Sequence, residues 1–337
     1  MNKVAELSID ERSELFKETA TLMNTTNAIV EKDFWVVWTL DKLFSDDRVN
    51  KILMFKGGTS LSKVFNLIGR FSEDIDLILD WREVTLDNPL QAQASKNKQV
   101  KFNDQINENA KIYIKEKLLP IISEILSPQC YCEFNLDDKG NYFVNIKYPS
   151  AFSDQAIRPK ILLEIGPLAS WLPSATFEIT SFVAIEFPHL FRQSKCSVNA
   201  VVAKRTFWEK ATILHQEANR GEEKKIPLRH SRHYYDLAKM AQSVVKDEAL
   251  NDLQLLEDVV VFKQKFYMSA WAMYDEARVG TFKLLPPEFR YKELDADYDS
   301  MKSMIFDKYL TFDQIIAILR ELEDEINTLD YMAKETK

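Results

Sequence analysis

The chain has 337 residues, 46% hydrophobic and 28% charged, with 44 Lys and Arg against 52 Asp and Glu for a formal net charge of −8. Seven glycines and eleven prolines exclude collagen-like, linker-like and Pro-rich disordered chains, and argue against an all-β protein full of tight turns. The acidic balance means that the whole molecule is not an electrostatic nucleic-acid binder, so any basic surface must be local.

Cys130, Cys132 and Cys196 have neither the number nor the spacing of a disulfide framework or a zinc site. The amphipathic N-terminus carries acids and no apolar signal core, and no run reaches the roughly 18 apolar residues of a membrane span. A cytoplasmic protein with no membrane partner is expected.

Ser8 followed by Glu11 is a capping box that opens a first helix. A second amphipathic helix is predicted from about Asn27 to Phe44, with Ile29, Val30, Phe34, Trp38, Leu40 and Leu43 available to a core. Ile52–Phe55 reads as a buried strand stopped by Lys56-Gly57-Gly58, Thr59–Ile68 as a helix, and Asp74–Leu79 as a second strand. A long helix follows over Lys96–Leu126, then strands at Tyr131–Asn135, Tyr142–Tyr148 and Lys160–Ile165, with a weaker strand pair between Phe177 and Phe187. Beyond Lys204 the pattern is helical, broken near 221–227, 280–287 and 295, and its stripe of Phe262, Phe266, Trp271 and Tyr274 reads as core. The fold class is therefore α+β: a mixed sheet flanked by helices, then a helical C-terminal region.

The chemistry concentrates around two of the seven glycines. Gly57-Gly58, after a strand and before a helix, lets backbone N–H groups approach an anion at the positive end of a helix dipole. Asp74 and Asp76 alternate on one face of the next strand, about 6.5–7 Å apart, where they repel unless a cation lies between them. Oxygen ligands of this kind suit Mg2+ or Mn2+. Either feature alone is ordinarily structural; in this order they point to phosphates plus a divalent metal, hence phosphoryl or nucleotidyl transfer. No G-x-x-x-x-G-K-[ST] motif is present, which excludes a P-loop. Glu164, alone among apolar residues in its strand, is a candidate third metal ligand, since a buried carboxylate there would need a partner.

The run Lys56-Gly57-Gly58-Thr59-Ser60-Leu61 with Arg70-Phe71-Ser72-Glu73-Asp74-Ile75-Asp76-Leu77 resembles the AbiEii/AbiGii toxin family of nucleotidyltransferases, DNA-polymerase-β-like enzymes that form the toxin half of bacterial toxin–antitoxin and phage-abortive-infection pairs. Glu31-Lys32-Asp33-Phe34-Trp35 resembles the Glu-Lys-Asp element of that family, Arg205 to Lys210 its Glu-Lys motif, and Arg232 to Leu237 its Arg-x-x-x-Asp motif.

The resemblance implies a polymerase-β-like nucleotidyltransferase core. It implies a nucleotidyltransferase domain over 1–203 with N-terminal helices, and a helical domain over 204–337 that contributes to the active site. It implies that Lys56, Gly57, Gly58, Thr59, Ser60, Ser72 and Lys210 bind a nucleoside triphosphate (NTP), and that Asp74, Asp76 and Glu164 hold the metal. Lys210 and Asp236 join these acids as catalytic residues. It further implies an RNA acceptor such as a tRNA 3′ end, and a cognate antitoxin encoded nearby. A non-catalytic nucleotide- or RNA-binding module and a kinase-like use of the same site remain as alternatives. Independently, residues 203–240 hold nine Lys/Arg and five Asp/Glu, with His215, His230 and His233, a local excess of +4 suited to phosphates.

Overall fold

In the computed structural model, residues 1–91, 93–138, 140–153 and 157–329 are described. The chain forms two compact units: Met1–Phe65 with Phe71–Val201, and Asn66–Arg70 with the chain from Val202 onward.

The first unit begins with a short turn, α1 (Asn2–Ala5), then α2 (Ile9–Met23) and α3 (Asn27–Ser45). The Ser8–Glu11 capping box is formed. Helix α3 is buried on every side rather than along one stripe, with Glu31, Lys32 and Asp33 among its buried residues; a helix enclosed all round is the spine of a core. Trp35 stacks on Tyr148 at 5.7 Å and meets Phe34 and Trp38 edge-on.

Seven strands form one mixed sheet in the order β3-β4-β5-β2-β1-β7-β6. They are β1 (Leu53–Lys56), β2 (Ile75–Leu79), β3 (Tyr131–Leu136), β4 (Tyr142–Lys147), β5 (Lys160–Gly166), β6 (Ser174–Thr180) and β7 (Lys195–Val201). Central β1 and β2 are antiparallel to each other, while β1 runs parallel to β7 and β2 to β5. Ile75, Leu77 and Leu79 enter the main core as expected. The other face carries a small second cluster of Met54, Ile78 and Val201, with Trp171 packed on it.

Three expectations need correction here. The helix after the Gly-Gly turn, α4, spans Gly57–Lys63 and stops early, because the chain turns into a left-handed conformation at Asn66 (φ 50°). The predicted long helix is α5 (Lys96–Tyr113) and α6 (Leu119–Leu126), joined by a widened turn over Ile114–Leu118; Pro120 near that joint has no N–H to give a regular ladder. The strand pair placed between Phe177 and Phe187 is instead β6 with β7. Ser181 ends β6 by accepting from the Ala184 N–H at 3.2 Å, and so starts helix α7 (Phe182–Glu186).

The second unit contains α8 (Ala203–Ala218), α9 (Arg232–Ala241), α10 (Val244–Leu250), α11 (Leu253–Phe266), α12 (Tyr291–Asp299) and α13 (Phe312–Thr328). The predicted break at 295 is absent, since that residue lies within α12. Tyr274 is buried, but Phe262, Phe266 and Trp271 are only half-buried. Among the described residues, no helix is long and apolar enough to cross a membrane.

Candidate active site

Strand β1 ends at Lys56, and the chain enters α4 through Gly57 at φ 85°, a conformation that L side chains rarely adopt. Space makes the same demand: a Cβ on Gly57 would lie 1.9 Å from Asp76 Oδ2. The Asp76 carboxylate therefore packs directly over the turn. Register pairs Lys56 with Asp76 across β1 and β2, and Asp76 with Glu164 across β2 and β5, so these three residues form one row on one face.

Asp74 immediately precedes β2 and is tied to the turn through its backbone, where its carbonyl accepts from Thr59 Oγ1. Ser72 Oγ lies 3.0 Å from the same Thr59 hydroxyl. Ser60 Oγ donates to the Gly57 carbonyl at 2.9 Å. Thr59 and Ser60, expected on the nucleotide, are fully buried and their hydroxyls are engaged within the turn, which they shape. Lys56, Gly57, Gly58, Ser72, Asp74 and Asp76 are half-buried. Like any helix, α4 has first N–H groups that find no acceptor inside it.

Glu164 is exposed, so the argument from the cost of a buried carboxylate does not apply to it. Among the described residues, no group of three or more His, Cys, Asp or Glu is gathered as a metal cluster. The oxygen donors of Asp74 and Asp76 fit a hard divalent cation that takes its other ligands from a bound phosphate or water.

The Glu-Lys-Asp run on α3 supports this face from behind. Glu31 accepts from Ser150 Oγ at 2.8 Å and the Ala151 N–H at 2.7 Å. Lys32 pairs with Glu73 and also donates to the Arg158 carbonyl at 3.2 Å. Asp33 pairs with Lys63 and accepts from the Phe182 N–H at 2.7 Å. Three consecutive helix positions point about 100° apart, so the run fastens three different segments. Burial pushes the Asp33 and Glu31 carboxyls up and the Lys32 ammonium down, each opposed by its partners. No role for Lys63 or Glu73 was evident from sequence.

Lys210 and Asp236 lie in the second unit and meet each other there. Lys210 Nζ donates to Asp236 Oδ2 at 2.8 Å and to His233 Nδ1 at 3.0 Å. Arg70 grips the same carboxylate with two bonds, Nε to Oδ1 at 2.7 Å and an Nη to Oδ2 at 2.8 Å. Asp236 is completely buried. Burial alone would raise its carboxyl, but Arg70 and Lys210 outweigh it and hold it well below the usual carboxylate range. His233 is held neutral, first by burial and then by the Lys210 charge. Arg70 was part of a recognised motif without an assigned role. The signal that could have exposed it is the need of any buried acid for cations.

Comparisons with known proteins identify the family. The model of the family described as nucleotidyl transferase AbiEii toxin, type IV TA system, matches residues 38–318. MenT4, a nucleotidyltransferase toxin from Mycobacterium tuberculosis H37Rv, has a similar structure at TM-score 0.50 and 16% identity, over 94% of this chain and 90% of that one. JHP933 from Helicobacter pylori aligns at TM-score 0.42 and 12% identity, over 88% of this chain and 91% of that one. Among curated proteins none matches. The chain belongs to the AbiEii nucleotidyltransferase toxin family of type IV toxin–antitoxin systems.

Proposed function

We propose that this nucleotidyltransferase moves a nucleoside monophosphate from an NTP to RNA, with a tRNA 3′ end as the acceptor. The observation that carries the reading is the Asp76 carboxylate packed over Gly57, with Asp74 fastened to the same turn by Thr59. Phosphate-binding backbone and metal-binding carboxylates thus share one turn.

Asp74 and Asp76 would hold Mg2+ or Mn2+, which supplies charge neutralisation on the transferring and leaving phosphates. Gly57 and Gly58 offer backbone to the triphosphate without a side chain in the way. Ser72 reaches the phosphates only if its hydroxyl leaves Thr59. Glu164, in register with Asp76, would orient a metal-bound or acceptor hydroxyl in this reading. Lys210 keeps one N–H beyond those given to Asp236 and His233, and in this reading it gives that N–H to a phosphate oxygen. Asp236 opposes the burial that lowers the Lys210 ammonium. The acceptor oxygen bonds to the α-phosphorus as the bond to pyrophosphate breaks. Family membership implies a cognate antitoxin, and the reading places the reaction in the cytoplasm.

The test incubates the protein with total tRNA, Mg2+ and each NTP labelled at the α- or γ-phosphate. Transfer of the α-label alone is expected, reduced by at least about a thousandfold, or about 4 kcal/mol of barrier, in Asp76→Asn. Movement of the γ-label would make the site a kinase. NTP retained without transfer would leave only a binding module.

A further inference from the structure

The loop between α8 and α9, residues 219–231, is fixed at both ends by Arg290, just before α12, and by Asp297, within it. Near its start, Arg290, itself buried, donates to the carbonyls of Gly221 at 2.8 Å, Glu222 at 3.0 Å and Lys224 at 2.5 Å. Near its end, Asp297 accepts from the Arg229 N–H at 2.7 Å, the Ser231 N–H at 2.9 Å and the Ser231 hydroxyl at 2.5 Å. Arg229 takes a left-handed backbone (φ 58°) under this clamp. Between the clamps, Lys225, Pro227 and Leu228 stand in solvent, and Leu228 is 92% exposed.

The charges in this loop are sorted. Arg220 is matched by Glu217, and Arg220 and Lys224 each lie 4.5 Å from the Trp271 ring. The Glu223 carboxylate folds back onto Gly221, where a Cβ would meet Oε2 at 2.4 Å. Glu222 and Glu223 are exposed near the start of the loop, whereas the acid-free part that follows turns outward Lys225 and Arg229, with Arg232 on the first turn of α9. Among the described residues, Lys225 and Arg232 form no ion pair. Helix α9, which brings Arg232 to the surface, also carries His233 and Asp236 onto Lys210. A strand held by the loop is thereby led along the helix that sets Lys210.

We infer that residues 225–232 are a preformed docking surface for the phosphate backbone of the RNA acceptor, with Lys225, Arg229 and Arg232 on phosphates and Leu228 against a sugar or base. Cations that are fixed in place and interleaved with an apolar side chain match a polyanion with apolar faces. The inference rests on the RNA-acceptor reading above.

The experiment measures binding of fluorescently labelled total tRNA by the full chain across NaCl concentrations, alongside binding of α-labelled NTP. The double variant Lys225→Glu, Arg229→Glu is expected to bind tRNA at least about tenfold more weakly, with a salt slope reduced by about two, while NTP binding is unchanged. Charge-retaining Lys225→Arg, Arg229→Lys should keep both tRNA affinity and slope, which separates charge from folding. Wild-type tRNA affinity and slope in the charge-reversed protein would overturn the inference alone and leave Leu228 to a protein partner. Absence of salt-dependent tRNA binding by the unaltered protein would overturn the RNA-acceptor reading, and the inference with it.

Discussion

The two units handle charge in opposite ways. In the sheet unit, the acids of the proposed metal site are half-buried, and the fold positions them through backbone and shape: Thr59 takes the carbonyl of Asp74, and Gly57 makes room for the Asp76 carboxylate. In the helical unit, Asp236 is gripped by the carboxylate itself, with Arg70 and Lys210 saturating both oxygens in a completely buried place. The Asp76 carboxylate, held by shape, can be neutralised with little effect on the fold, because no ion pair ties it to a buried cation among the described residues. One held by cations cannot, because its removal leaves two like charges in a dry site.

That contrast is broken most directly at Asp236. Asp236→Ala should lower stability by about 3–5 kcal/mol, read from urea denaturation, whereas Asp76→Asn should stay within about 0.5 kcal/mol of the unaltered protein. Equal losses would erase the distinction. Combining Asp236→Ala with Arg70→Met and Lys210→Met should restore much of the loss, since an apolar replacement of a buried ion network is frequently neutral. Next in size is Gly57→Ala, which forces an unfavourable backbone at a cost of about 1–3 kcal/mol and drives a methyl into Asp76. Transfer should fall far more than stability, because Asp76 must move. If Gly57→Ala keeps full transfer, shape is not what holds the carboxylate.

The local half of this contrast was legible in the sequence and the long-range half was not. A glycine pair in a glycine-poor chain, framed by an apolar strand and an Asp-x-Asp, is a short-range pattern, and strand alternation alone sends Asp76 to the face opposite Ile75 and Leu77. The role of Arg70 depends on a partner 166 positions away, which no periodicity reports. Glu31-Lys32-Asp33 puts three charged residues in a row within the predicted amphipathic helix, yet all three are buried, each by partners far away in sequence. Strand β7 escaped because its pattern, Lys195-Cys196-Ser197-Val198-Asn199-Ala200-Val201, alternates small residues that also suit a loop, and only pairing with β1 and β6 decides it. Glu164 erred in the other direction: its apolar neighbours suggested burial, but a strand has two faces and its own is open.

The finest test of the contrast uses pH, because the His233–Lys210–Asp236 cluster of the helical unit should respond to mild acid. His233 Nδ1 accepts from Lys210, so protonating it removes the acceptor and sets a second cation against the first. Burial and the Lys210 charge hold its folded value well below 6.5; His230 and His215 are also lowered, chiefly by burial. The group facing His233 from α8 is Lys210, its own helix adds Arg232, the preceding loop adds His230, and Arg70 approaches from the short segment 66–70. For a base whose folded value is depressed, the unfolded chain binds more protons below 6.5, so stability is full above that value and declines as pH falls. One such proton contributes a slope of up to about 1.4 kcal/mol per pH unit. Unfolding free energies measured from pH 7.5 to 5 should therefore fall with pH, and His233→Asn should make the decline shallower by about one proton. His230 and His215, lowered in the same direction, contribute to what remains. An unchanged slope in that variant would mean that His233 does not resist protonation, and that Lys210 is held by Asp236 alone.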